Sequence, residues 1–157
     1  MNTQEALRKF ALSVISDIQS EQRSKKIRAS GTSADSLRHE TKPRSSTIFG
    51  ADYFEFQEFG RGPGKFPPID RLRQWVLDKG IASGSVNDPH IKSIAYLIGR
   101  KIASDGTNIY QGRSQELGVQ KILDKNLNNL RPEIQQSERF AVRSTILRGL
   151  EQALGNR

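Results

Sequence analysis

Leu7, Phe10, Val14 and Ile18 recur at steps of three and four, with Ala11 and Ile15 beside them, while Arg8, Lys9, Asp17 and Glu21 fall on other faces. That spacing stacks the apolar side chains along one side of a 3.6-residue helix. It predicts an amphipathic helix from about Thr3, a fitting N-cap, to about Arg28. The stripe stops at Ile18, yet helix-favouring residues continue into the cationic run Arg23-Ser24-Lys25-Lys26-Ile27-Arg28. Those last turns are expected to project from the body or to dock on another molecule. Ser30-Gly31-Thr32-Ser33 breaks the helix. The short runs 36–42 and 45–50 flank Pro43-Arg44 and read as a hairpin, its first strand so polar that it should be an edge or face solvent.

Residues 53–59 are dense in aromatics, and two periods compete there. Tyr53, Phe56 and Phe59 fit a helical face, whereas Phe54 and Phe56 fit one side of a strand. Asp52 as a cap and Gly60 as a stop favour a short helix. The irregular linker Gly60-Arg61-Gly62-Pro63-Gly64-Lys65-Phe66-Pro67-Pro68 leads into a helix carrying Ile69, Leu72, Trp75 and Val76 and ended by Gly80. Asn87-Asp88-Pro89 is a second start signal, and Ile91, Ile94, Ala95, Ile98 and Ile102 form one stripe to about Ala103. Residues 104–113 read as loop, with a short strand at 108–110. From Ser114 the pattern is helical again, with Ile122, Leu123, Leu127 and Leu130 toward a core. Pro132 is expected to kink or restart it, and Ile134, Ala141, Thr145, Ile146, Leu150 and Ala153 carry it to Gly155. The prediction is an α+β fold: a long N-terminal helix, a small antiparallel hairpin, several packed helices and a helical C-terminal region. It is a single domain over 1–157, with the N-terminal helix in 1–30, a core in 45–110 and the C-terminal helices in 114–155.

Composition narrows the chemistry. The 157 residues hold no Cys and 2 His, which excludes disulfide scaffolds, thiolate zinc sites and cysteine nucleophiles and makes a His-rich metal centre improbable. Lys and Arg number 25 against 17 Asp and Glu, a formal charge of +8, which suits an anionic partner or an acidic neighbouring subunit. No apolar run approaches a membrane span, and Met-Asn-Thr-Gln-Glu is no secretory n-region, so the expectation is a soluble chain made inside the cell, with no membrane partner.

Every candidate site has a plainer role beside it. A phosphate loop needs Gly, four residues, then Gly-Lys-Ser/Thr, but Gly64-Lys65 is followed by Phe66, with Phe59 where the first Gly belongs. A dinucleotide fingerprint fails because Lys65 stands at its third Gly. His39-Glu40 lacks a second His, and His90 follows a capping pair, so both read as surface or packing histidines. Asp52, Glu55 and Glu58 could share a helical face as acid/base or metal-linked carboxylates, though local ion pairs explain them more simply. No serine or threonine has a nucleophile's context. The expectation is therefore no catalytic residue, cofactor or metal. Positive charge recurs at Arg23, Lys25, Lys26 and Arg28, at Arg38, Lys42 and Arg44, and at Arg61 and Lys65. Such charges supply phosphate contact without reading sequence. Arg23, Lys25, Lys26, Arg28, Arg61 and Lys65 are the candidate DNA or subunit contacts.

The run from Tyr53 through Glu58-Phe59-Gly60-Arg61 and Pro63-Gly64-Lys65-Phe66-Pro67-Pro68, then Ile69, Trp75-Val76 and Lys79-Gly80-Ile81, resembles tail-completion (neck, or head–tail connector) proteins of tailed bacteriophages. So does Ala95-Tyr96-Leu97-Ile98-Gly99-Arg100-Lys101-Ile102 with Asp105-Gly106-Thr107 after it. The resemblance spans about residues 45–110. It implies a structural virion protein made in the host cytoplasm. Such a protein forms a ring of identical subunits between portal or adaptor and tail proteins, around the DNA path. It also singles out Tyr53, Phe56, Phe59, Gly60, Pro63, Gly64, Pro67, Pro68 and Trp75 as the structural motif. In physical terms the aromatics supply core, Gly60 lets the chain turn, and the prolines fix the direction of the next helix, with Trp75 as a core anchor. The rival readings are a small basic nucleic-acid-binding accessory protein and a nuclease using the carboxylates at 52, 55 and 58.

Overall fold

A computed structural model describes residues 2–52 and 54–155, without the side chains at 149, 150 and 153–155. It holds α1 (Thr3–Ser24), α2 (Thr32–Asp35), β1 (Arg38–Lys42), β2 (Ser45–Phe49), α3 (Glu55–Phe59), α4 (Ile69–Asp78), α5 (Pro89–Asp105) and α6 (Val119–Gly155). The fold is α+β, with β1 and β2 antiparallel and Arg38 opposite Phe49. Tyr53, Leu150 and Ala153, each assigned a role from sequence, lie outside the described side chains. The chain divides into two compact units: residues 1–17, 38–49 and 120–157 in one, residues 18–37 and 50–119 in the other.

In the first unit, α1 begins one residue earlier than expected in its capping. Asn2, not Thr3, is the cap: its Oδ1 accepts from the Glu5 amide at 2.8 Å, and Glu5 Oε2 accepts from the Asn2 amide at 2.9 Å. This reciprocal box satisfies two amides that the first turn would leave bare. Ala6, Ala11 and Val14 on α1 and Ile122, Asn126 and Leu130 on α6 are buried. Thr3 bonds Ser137 and Glu138, Lys9 pairs with Glu133, and Asp17 accepts from Lys125 and Asn126, so the two helices run antiparallel. Helix α6 starts at Val119 rather than near Ser114 and passes through Pro132 without a break. Pro132 is exposed, so the carbonyl left without its amide partner can be hydrated. Leu127 is exposed, as are Ala141, Thr145 and Ile146, and Ile134 is half-buried. Among the described side chains, the expected core stripe does not continue past the middle of the helix.

In the second unit, α4 and α5 make the densest core: Val76, Ile91 and Ala95 are buried, with Ile69, Leu72, Leu77, Ile94 and Ile98 against them. Asp88 caps α5 by accepting from the His90 amide at 2.8 Å, with Pro89 in the first turn, as its sequence predicts. Trp75 is 38% exposed and is not the core anchor; Val76 is. Phe56 and Phe59 are exposed too and do not supply core, while Phe54 is half-buried. The helical period of the aromatic run is right, but a helix five residues long has too little neighbouring chain to bury every aromatic it carries. Asp52 makes no cap; Phe54 occupies the N-cap position with no side-chain bond. Residues 108–110 form turns rather than a strand.

The end of α1 is the largest correction. The helix stops at Ser24, not Arg28, because Lys26 takes a left-handed φ of 54°. The Ile27 amide then bonds the Gln22 carbonyl at 3.0 Å, and the Lys26 amide bonds that of Arg23 at 3.1 Å, which closes the helix as a Schellman turn. A lysine in the position glycine usually holds hides the signal. Gln22 itself is buried and donates to Gln57 at 2.6 Å and Ser33 at 3.2 Å, so the buried stripe of α1 runs one turn past Ile18 in polar form.

Candidate functional site

The two runs that carry the resemblance meet within the second unit. Gly60 ends α3 with φ 71°, the positive value its sequence position predicts. The next residue is tied twice to Thr107: the Arg61 amide donates to Thr107 Oγ1 at 2.9 Å, and the Arg61 carbonyl accepts from the Thr107 amide at 2.8 Å. The Gly64 amide reaches the Ala103 carbonyl at the end of α5, 2.8 Å away. A Cβ at Gly60 would stand 2.3 Å from the Tyr110 nitrogen; one at Gly106 would stand 2.8 Å from the Arg61 carbonyl and from the Tyr110 ring. Glycine is therefore required on both sides of the contact, by space as well as by φ.

Phe66 seats the far end of the linker. A Cβ at Gly99 would come within 2.4 Å of its ring, so the small residue on α5 is what lets Phe66 lie on that helix. The Phe66 and Tyr96 ring centroids are 5.8 Å apart, in the range of tilted aromatic pairs. Pro67, next to Phe66 in sequence, is buried, while Pro63, Gly64 and Pro68 are exposed and fix direction rather than fill space. The Arg61 guanidinium donates to the Lys65 carbonyl at 2.6 Å, bracing the linker from within. Lys65, Arg100 and Lys101 are exposed, as are Tyr96, Leu97 and Tyr110.

The cations at the end of α1 divide into occupied and open ones. Lys25 Nζ donates to the Glu116 and Leu117 carbonyls at 2.9 and 3.0 Å and pairs with Glu21 at 3.2 Å. Arg28 lies against Gly31 and reaches Asp35 at 3.9 Å. Lys79 donates to the Lys26 carbonyl, and burial holds its ammonium below the usual lysine value. Residues 23–28 thus fold back on their own unit instead of projecting. Of the six candidate contacts, the side chains of Arg23, Lys26 and Lys65 are exposed and make no hydrogen bond or ion pair among the described residues. Arg38, Lys42 and Arg44 belong to the first unit, where Arg38 stands 4.9 Å over the Phe49 ring.

The carboxylate trio comes apart. Glu58 Oε2 accepts from the Gly118 and Val119 amides at 2.7 and 3.0 Å, so this acid caps the start of α6 where the helix dipole favours negative charge. Its partner is backbone, not the neighbouring cation that an ion pair would need. Glu55 and Asp52 are exposed. His39 Nδ1 lies 3.2 Å from Thr41 Oγ1 within β1. Among the described residues no three His, Asp or Glu side chains gather as a metal set, and no helix is long and apolar enough to cross a membrane.

Tyr96, Leu97, Tyr110 and Thr107 were not singled out by side chain from the sequence. A signal existed for the first two: they fall between Ala95 and Ile98, off the buried stripe of α5, where an aromatic and a leucine have no core to enter. Thr107 stood in the resembling run without a role for its side chain, and Tyr110 gave no signal, because their partners lie more than forty positions earlier. Compared with models of known families, with curated proteins and with solved structures, the chain matches none of them.

Proposed function

We propose that this chain is a structural virion protein of the neck or tail-completion kind. It assembles as a ring of identical subunits at the head–tail junction, between portal or adaptor and tail proteins, and performs no catalysis. The observation that carries the reading is the uncovered apolar surface around a braced loop pair. Phe59 is 73% exposed and Tyr96 57%, with Tyr110 open at the glycine contacts and Leu97 open on α5. A monomer gains nothing from large apolar groups held in water, whereas a subunit surface is built of them, with tyrosine and arginine prominent. The residues that carry the family resemblance are the ones that brace this surface, and a head-to-tail contact repeated around an axis closes as a ring when its rotation divides a full turn.

Sedimentation over a concentration series, with negative-stain imaging of the largest species, tests it. Closed rings are expected for the parent, and smaller species for the pair Tyr96→Ser and Leu97→Ser with an unchanged fold by circular dichroism. A parent that stays monomeric at every concentration overturns the reading. The alternative, a small basic nucleic-acid-binding accessory protein, is favoured by Lys65 and Arg100 standing in the same segments as the Phe66–Tyr96 ring pair. It predicts monomeric binding to DNA with a steep salt slope instead.

A further inference from the structure

Two outward faces of the second unit carry opposite charge. On α3, Gln57 and Glu58 turn inward, where they bond Gln22 and the Gly118 amide. Glu55, Phe56 and Phe59 lie within about 100° of one another on the other side of that helix, and all three are exposed, as is Asp52 in the turn before it. From Ser45 to Gly60 the chain holds Asp52, Glu55 and Glu58 and no lysine or arginine. On α5 the signs reverse. Lys92, Tyr96 and Arg100 stand four residues apart in one row, with Leu97 and Lys101 in the row beside it, and all five are exposed. From Pro89 to Ser104 there is no Asp or Glu. None of the exposed acids or cations on these two faces makes an ion pair among the described residues.

Each face lacks what the other supplies. Setting α5 of one copy on α5 of another brings cation to cation, and α3 on α3 brings acid to acid, arrangements that like-charge repulsion penalises. Setting α3 on α5 covers Phe56 and Phe59 with Tyr96 and Leu97 and rims that apolar centre with unlike charges, the usual anatomy of a subunit contact. Tyr96 is already steadied for it by the Phe66 ring, 5.8 Å away between centroids. We infer that α3 of one copy of the chain docks on α5 of a second copy. Two different patches meet, so the contact is head-to-tail, the kind that runs on from subunit to subunit and closes as a ring when its rotation allows. The inference rests on the self-assembly part of the proposed function and adds to it which two surfaces touch.

Two full-length variants test it. One carries Asp52→Lys with Glu55→Lys, the other Lys92→Glu with Arg100→Glu; all four positions are exposed, so both should keep the parent's circular dichroism. Each alone should need at least about tenfold more protein than the parent to associate in sedimentation. The second variant lowers the positive net charge, so general repulsion would favour its association, and the contact predicts the reverse. Mixed one to one, the two should form larger species than either alone, because the exchanged acids of one chain meet the exchanged cations of the other. The milder Glu55→Gln and Arg100→Gln, read in the same way, should each weaken association by a smaller factor and serve if a double exchange alters the fold. If the parent associates but the variants match it, or their mixture is no larger than its components, the contact alone falls. It falls also if only the α5 exchange weakens association, since α5 then meets something other than α3. If the parent never associates, contact and ring fall together.

Discussion

The linker at 60–68 and the second half of α6 are opposites. The linker has no regular hydrogen bonding, yet glycines at 60, 99 and 106 let it lie against its neighbours at distances no other residue allows, and Thr107 binds Arg61 on two sides. The end of α6 is regular helix, yet from Arg139 to Leu147 only Ser144 is even half-buried. Regularity and support are separate properties. A loop is rigid when its polar groups and its volume are both accounted for by the surrounding chain. A stretch of helix without tertiary cover is marginal in water, because most helical stability in proteins comes from packing one face.

Breaking the linker should have the largest consequence. Gly60→Val places a branched side chain at a left-handed φ and against the Tyr110 backbone, two penalties that together should cost roughly 3 kcal/mol or more. An unfolding free energy from urea titration lowered by less than about 1 kcal/mol would mean the two loops part easily and are not braced.

A middle-sized effect belongs to the supported half of α6. Asn126 and then Lys125 donate to Asp17, and these bonds hold its carboxyl below the usual aspartate range despite some opposing desolvation. A lowered folded value means the contribution is whole above the unfolded pKa of about 3.9 and is lost as pH falls through the folded value. Asp17→Asn should therefore cost about 1 kcal/mol at neutral pH and flatten the acid limb of stability below about pH 4. Parallel acid limbs for parent and variant would remove Asp17 from the α1–α6 contact.

The smallest effect should fall on the unsupported half. Ile146→Ser is expected to change the unfolding free energy of the dissociated subunit by less than about 0.5 kcal/mol, as exposed substitutions do. A loss of several kcal/mol in the dissociated subunit would show that the arm already has cover within its own chain, and the contrast between the two regions would disappear.

Local chemistry made much of this legible from sequence. The Asp88-Pro89 start, the hairpin around Pro43-Arg44, the α5 stripe and the stop at Gly60 each depend on residues within a few positions of one another, so spacing alone determined them. The element class along the chain followed, and with it the α+β fold. What the tertiary structure alone decided was which faces are covered. Trp75, Phe56 and Phe59 have the right period for burial, but burial needs an opposing surface, and that is supplied from distant chain or not at all. Lys26 ends α1 in a conformation its own side chain disfavours, held by a Schellman turn and by Lys79 from fifty-three positions away. Glu58 looked like part of an acidic cluster until α6 began beside it, sixty positions later. Periodicity fixes the angle at which a side chain leaves its helix; whether protein or water waits at that angle depends on contacts between residues remote in sequence.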